Sequence, residues 1–383
     1  VSVTAPKGFL ASGVVAGLKA SGKPDVSVLQ NTGPSFAAAC VFTSNRCKAN
    51  PVLWSEQVIA DGEVRAIATN SGGANCYTGS RGFQTTHATA ERIGAALGIG
   101  AGDVLVCSTG LIGEQLDEVK LFAGFDAAIE ALDADGGQDA ANAIMTTDTV
   151  AKTAVHRGDG WSIGGMAKGA GMLAPALATM LVYLTTDAEL SAAELDSALR
   201  TATSMSFDRI DSDGCQSTND TVSLMASGAS GIRPDLDEFT ASLSELCLDL
   251  ALQLIRDAEG ASHDIAITTV GAANEADAVE VGRSVARSNL FKCAIFGNDP
   301  NWGRILAAVG TTSATFDPER IDVSMNGVMI CRDGEPGESR DLVDMTARDV
   351  QILIDLKSGD SSATLWTNDL TTDYVHENSA YST

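Results

Sequence analysis

An α+β protein built in layers is the fold class this sequence predicts. Short β-type runs are interleaved with segments of helical spacing, the interleaving lacks a strict βαβ rhythm, and no low-complexity block or fixed-period repeat interrupts it. Val26–Leu29, Ala37–Phe42 and Val64–Thr69 read as short strands between turn residues. Thr85–Leu97 carries helical spacing and stops at Gly98 and Gly100. Val104–Cys107 is a further apolar strand running into Ser108-Thr109-Gly110, and Phe122–Leu132 is a helix closed by Asp133–Gly137. Met180–Leu184 is β-type, and a helix follows, opened by Ser191 with Glu194 at capping-box spacing. Phe239, Leu243, Leu246, Leu250 and Leu254 recur along one helical face, with Gly260 as the stop. Ile265–Val270 reads as a strand and Ala276–Arg287 as a helix. Val350, Ile352, Ile354 and Leu356 alternate, which marks a strand with one buried face.

Composition narrows the function classes. The chain has 383 residues, enough for two or three folding units, and 44% hydrophobic residues can fill a sizeable core. With 25 Lys+Arg against 50 Asp+Glu, its net charge of −25 argues against a nucleic-acid partner or an anionic membrane surface. The longest apolar stretch, Met172–Leu184, is interrupted by Pro175 and Thr179 and is shorter than the roughly 20 residues a bilayer helix needs. The first residues lack the charged start and apolar run of a secretory signal. The eight cysteines are scattered, form no CxxC pair and have no histidine at metal-ligand spacing. Reduced thiols, a cytoplasmic location and no bound metal are therefore expected. The four histidines are isolated as well, which gives little support to a Ser-His-Asp or Cys-His enzyme.

Two glycine- or aspartate-rich segments carry less than they promise. Gly164–Gly171 lacks both the GK[ST] ending of a P-loop and the GxGxxG spacing. Asp208–Gly214 hints at a calcium loop but has no glutamate at the required distance, and reads as a polar loop or active-site wall. A third segment, Lys168–Leu181, runs from a glycine-rich turn through a proline and small residues to Thr179, which opens an apolar strand. On spacing alone this is a loop entering a buried strand. The functional alternative is self-cleavage between Ala178 and Thr179. An N-terminal threonine has an α-amino group with pKa of about 7.7–8 that can take the proton of its own hydroxyl, so no histidine is needed.

Lys168-Gly-Ala-Gly-Met-Leu-Ala-Pro followed by Ala178-Thr-Met-Leu resembles the self-processing segment of the ornithine acetyltransferase (glutamate N-acetyltransferase) family. The likeness extends over nearly the whole chain, through Asn70-Ser-Gly-Gly-Ala-Asn75, Cys107–Gly113, Met145–Asp148, Ser217–Thr221, Asp257–Gly260, Gly297–Arg304 and the tail Glu377–Thr383. It implies a cut into Val1–Ala178 and Thr179–Thr383, associated as a heterotetramer of two copies of each. Thr179 would carry acetyl from N-acetylornithine to glutamate by a ping-pong route, without cofactor, in an α-β-β-α fold similar to that of self-processing aminopeptidases.

Residue by residue, Thr109 and Gly110 match the oxyanion-hole positions, and Thr146, Lys168, Glu259, Asn378 and Thr383 match substrate-contacting ones. Glu259 also sits at the end of a predicted helix beside Asp257, where the helix dipole disfavours carboxylates. Asn378 and Thr383 imply a tail folded back over the pocket. Two departures stand out: Thr383 where the family often ends in serine, and Gly73 where many relatives carry asparagine. Some members of the family also acetylate glutamate from acetyl-CoA, and the scarcity of Lys and Arg favours a recycling-only form. An amidase that hydrolyses its acyl-enzyme and a non-catalytic amino-acid-binding protein are the competing readings.

Overall fold

The computed structural model describes residues 2–174 and 180–380. The chain begins with β1 (Phe9–Val14), β2 (Val26–Asn31), β3 (Ala38–Phe42), α1 (Asn50–Val58), β4 (Ala66–Asn70), α2 (Gly79–Leu97) and β5 (Val104–Ser108). It continues through α3 (Glu118–Glu130), α4 (Gly137–Ala143), β6 (Lys152–Arg157), β7 (Ser162–Lys168), β8 (Leu181–Thr186), α5 (Ala192–Met205), β9 (Thr221–Ala226) and α6 (Leu236–Arg256). The last third supplies β10 (Asp264–Ala272), α7 (Glu275–Ala286), α8 (Asn289–Phe296), α9 (Trp302–Val309), β11 (Asp322–Met325) and β12 (Val328–Arg332). It ends with β13 (Glu335–Pro336), β14 (Asp349–Asp355), β15 (Ser361–Asn368) and α10 (Thr372–Ala380).

Two sheets, ordered β1-β2-β4-β5 and β3-β9-β8-β7-β6, pack face to face. Phe9, Leu29, Ile67 and Leu105 of the first meet Met166, Leu181, Tyr183 and Met225 of the second in one apolar cluster. The alternate residues of the first sheet, including Val26, Val28, Val104 and Val106, turn outward onto Ile93 of α2 and Leu121 and Phe125 of α3. Those of the second, including Ile163, Val182 and Leu224, turn outward onto Leu199 of α5 and Leu243, Leu246 and Leu250 of α6. Strand alternation thus gives each sheet two buried faces, and the four layers stack α-β-β-α. Burial of each large aliphatic side chain here stabilises by about 1.5–3 kcal/mol.

The helices explain themselves locally. Ser191 and Glu194 form the capping box that opens α5, as its spacing predicts. Asp235 caps α6 by accepting from the N–H groups of Asp237 and Glu238. Helix α2 begins at Gly79, well before the Thr85 expected from apolar spacing. Its first turns, Gly79-Ser-Arg-Gly-Phe-Gln84, are mostly exposed and carry Phe83 as their one apolar side chain, so no hydrophobic period announces them.

Gly164 and Gly165 belong to β7 and not to a turn. A side chain at Gly165 would stand 2.9–3.1 Å from Leu250, Leu246 and Leu184, so the glycine lets α6 lie close on the sheet. A third sheet, β13-β12-β11-β14-β10-β15, was not foreseen as a separate layer. Its inner face packs on α7, α8 and α9. Trp366 of β15 reaches the sandwich core beneath α6.

The packing units do not follow the expected fragments Val1–Ala178 and Thr179–Thr383. The second sheet takes β3, β6 and β7 from one and β8 and β9 from the other. Among the described residues no helix is long and apolar enough to cross a membrane.

Candidate active site

Strands β4 and β5 run parallel and end level, with Asn70 opposite Ser108, so the loops that follow them share one edge of the first sheet. Strand β7 of the second sheet ends beside that edge at Lys168. A cleft there is lined by Thr109, Gly110, Thr146, Lys168, Glu259 and Asn378, six of the residues the sequence singles out, together with Gly171, Met172 and the turn Ser217–Asn219. Ala178, Thr179 and Thr383 lie outside the described residues.

The loop after β5 is shaped for close approach. Gly110 has φ 131°, and a Cβ there would fall 2.9 Å from the backbone of Gly73, so only glycine fits. Gly73 in turn bridges to Thr109. A Cβ at Gly73 would meet the Leu116 side chain at 3.0 Å, so an asparagine in this position would require Leu116 to give way. Asn219 fastens the arrangement from the second sheet by donating to the carbonyls of Ala74 at 2.7 Å and Ser108 at 2.8 Å. Thr109 is buried, and its Oγ1 accepts from Lys168 Nζ at 3.3 Å. The hydroxyl hydrogen is then available to donate, and the neighbouring ammonium polarises it.

Behind Lys168 lies a buried charge network. Asp148 accepts from Lys152 Nζ at 2.6 Å, from the N–H of Gly169 at 2.7 Å and from the N–H of Thr146 at 2.9 Å. Burial alone would raise its pKa, but the Lys168 and Lys152 ammonium groups and the Gly169 N–H outweigh that and hold it at about 2. Lys168 is pulled below the usual lysine range, because burial and Lys152 outweigh the opposing carboxylates of Asp148, Asp220 and Glu259. Lys152 also reaches Asp257 at 2.6 Å. Asp257 follows the last residue of α6, so the charge that the helix dipole disfavours is matched by a buried ammonium.

Glu259 has its N–H on the carbonyl of Ala170 at 2.9 Å. Its carboxylate lies so close over Gly171 that a Cβ there would be 2.7 Å from both oxygens. Asn378 of α10 donates to Glu259 Oε2 at 2.9 Å, which closes the tail over the cleft.

Sequence reasoning quoted Asp148, Asn219 and Asp220 within motifs without giving them roles, and passed over Lys152. Their signal is three-dimensional, because Lys152 is 105 residues from its partner Asp257. Against expectation, one histidine is not isolated: His263 Nδ1 lies 2.8 Å from Asp369 and 3.1 Å from Ser262 Oγ. Both contacts fall on the same ring nitrogen, and Ser262 itself donates to Asp369, so no proton relay from serine through imidazole to carboxylate exists. Asp213 of the aspartate-rich turn accepts the N–H of Met172 at 2.7 Å and braces the cleft wall. A cavity of about 660 Å³ lies elsewhere, beside Arg209, Arg283 and Arg287. Arg209 and Arg287 are held by Glu275 and Asp211, each at 2.6 Å, and Arg283 donates to the carbonyl of Asp208.

Comparison with known proteins points the same way as the cleft. The ArgJ family model matches residues 10–383. The arginine biosynthesis bifunctional protein ArgJ of Streptomyces coelicolor is 62% identical over 100% of both chains, and that of Thermobifida fusca is 60% identical, also over 100% of both. Among solved structures, the arginine biosynthesis bifunctional protein of Bacillus halodurans is 36% identical with a TM-score of 0.50. The match covers 52% of this chain and 98% of that one, so the solved chain is about half as long.

Proposed function

This chain belongs to the ArgJ family, and on that premise we propose that it is a glutamate N-acetyltransferase that cuts itself before Thr179 and moves acetyl from N-acetylornithine to glutamate through an acetyl-threonine. The observation that carries the reading is the meeting, in one cleft, of Thr109, Gly110, Thr146, Lys168, Glu259 and Asn378, drawn from both sides of the cut. The half-length solved chain of the Bacillus relative supports the cut, since its length suits one fragment and not the whole. The antiparallel ladder of β7 on β8, with Lys168 opposite Leu181, would hold the two fragments together afterwards.

In the first half-reaction Thr179 Oγ attacks the acetyl carbonyl while its proton passes to the α-amino group of the same residue. The Thr109 hydroxyl and the Gly110 N–H receive the developing oxyanion, a contribution of about 2.7–4 kcal/mol per donor. The C–N bond then breaks, the amine carries the proton away as ornithine, and acetyl stays on Thr179. Glutamate enters the same cleft, and its amine reverses the steps. Glu259 suits the amino group of either substrate, and the Lys168 ammonium suits a carboxylate. The curated relatives are named bifunctional, which favours acetyl-CoA as a second donor against the expectation from the scarce basic residues. Two copies of each fragment in the cytoplasm complete the reading.

Intact mass and N-terminal sequencing under denaturing conditions test it. Fragments of about 18 and 21 kDa, divided by length from 39.4 kDa, are expected, the larger beginning at Thr179 and gaining one acetyl from N-acetylornithine. Thr179→Ala is expected to stay a single chain without transfer. A stable single wild-type chain, or transfer by the alanine variant, would sink the reading. Release of free acetate faster than transfer to glutamate would make the protein an amidase.

A further inference from the structure

Asp220 is the least comfortable carboxyl in the cleft wall. It ends the turn Ser217–Asp220 that leads into β9 and is fully buried. Its Oδ1 accepts the backbone N–H of Met180 at 3.1 Å, while no donor meets its Oδ2 in hydrogen-bond geometry. The Ser217 and Thr43 hydroxyls lie near the carboxyl, and the latter already donates to the Ser217 carbonyl. A buried acceptor without a donor is costly, and natural chains retain few of them. Met180 is the residue that follows Thr179.

We infer that Asp220 is a positioning residue for the nucleophile: Oδ1 fixes the peptide nitrogen of Met180, and Oδ2 receives the α-amino group that the cut before Thr179 sets free. This rests on the proposed role of Thr179. Covalent geometry makes it reachable, because the backbone nitrogens of consecutive residues are separated by only Cα and C and lie about 3–4 Å apart. A carboxyl that holds one can therefore reach the other once the cut frees it to turn.

Burial pushes Asp220 well above the usual carboxylate range, against the lowering effects of the Met180 N–H, the Ser217 and Thr43 hydroxyls and the Lys168 ammonium. Burial therefore favours the protonated form in the uncut chain. Lys168 faces Asp220 directly, and Asp148, Lys152, Asp257 and Glu259 of the same wall, with Lys19 behind them and Asp213 at the Met172 side, are further charged groups around it. In the cut protein the active form pairs a carboxylate with a neutral amine. When Thr179 Oγ attacks, the hydroxyl proton passes to the amine, and the resulting ammonium is held by Asp220. When the leaving amine takes that proton, the pair returns to its starting form. Asp220 thus does for the amine what the triad aspartate does for histidine.

Asp220→Asn separates this role from simple packing. Its amide oxygen can still accept from Met180, and it is neutral without having to take up a proton, so the uncut variant is expected to be more stable than wild type at pH 7. Without the carboxylate the amine loses its anion, and the acid limb of kcat against pH is expected to move down by about one unit, with the plateau reduced 10- to 100-fold. A limb left at the wild-type position overturns the inference, whatever happens to the plateau. Should the variant not cut itself, infrared spectra supply the second reading. The carboxylic-acid C=O band of Asp220, identified by its loss in Asp220→Asn/Thr179→Ala, is expected in uncut Thr179→Ala and absent from cut wild type. A band that persists after cutting overturns the inference. Wild type that stays uncut and unacetylated removes the parent reading first, whereas cut and acetylated wild type with an unmoved limb removes Asp220 alone.

Discussion

Two lysines in this molecule stand between two aspartates, and they do different things. Lys152, at the start of β6, reaches Asp148 and Asp257, both at 2.6 Å, and none of the three side chains is more than 8% exposed. Lys357, just beyond β14, reaches Asp322 at 2.8 Å and Asp333 at 2.6 Å, and Asp333 is 58% exposed. The stoichiometry and distances match, so burial is the variable. At the rim of the third sheet, water and salt screen both attractions. In the cleft wall burial keeps water from taking the place of a missing partner, so the loss of one charge throws the others onto their remaining contacts. The buried trio also ties together the segment around Thr146, the end of β7 through Gly169, and the start of the Glu259 turn. These are three walls of the cleft.

The largest effect is expected from breaking the buried trio. Lys152→Met leaves Asp257 with only the Thr149 N–H and hydroxyl and Asp148 with Lys168 and two backbone N–H groups, and about 3 kcal/mol of unfolding free energy should be lost at pH 7 in urea titrations. Adding Asp148→Asn removes one of the stranded charges and should return part of that loss. A double variant no more stable than the single one would mean that charge is not the cause.

Acid comes next in size. Asp148 has its pKa held at about 2 in the folded protein, below its value in an unfolded chain. Its contribution is therefore fully present above about pH 4 and lost as pH falls toward 2, roughly 2 kcal/mol in total. Unfolding free energy measured across that interval should fall less steeply in Asp148→Asn than in wild type. Parallel slopes would show that the network does not hold the carboxylate down.

The contrast also marks what could be read from the sequence. Strand β14, with its alternation of Val350, Ile352 and Ile354, was legible because one face is wet. Strands β4, β5 and β8 are buried throughout and were still legible as short apolar runs, whereas Gly164, Gly165 and Lys168 interrupt such a run in β7 and Thr221 and Ser223 interrupt it in β9. Helix α10 buries none of its residues deeply and gave no apolar period, although Asn378 on it closes the cleft. The candidate site was legible where resemblance supplied it, as at Thr109, Lys168 and Glu259. The supports beneath it were not, since Lys152 and Asp257 look like ordinary surface charges until the fold removes the water.

The smallest effect is expected from Lys357→Met, and it is the control that gives the others meaning. Asp322 is held below the usual carboxylate range, since its bond to Lys357 and the N–H of Asp333 outweigh partial burial. When Lys357 is removed, water takes over the solvation of Asp333, and Asp322 keeps the Asp333 N–H at 2.7 Å. Thermal melts at low and high salt should place this variant close to wild type, with any difference shrinking as salt rises. The Lys152→Met deficit should persist, because mobile ions do not reach a buried pair. Acetyl transfer should be unchanged, since Lys357, Asp322 and Asp333 are not among the described residues that line the cleft. If the two lysine variants lose equal stability, or both losses vanish in salt, burial is not what separates the two trios.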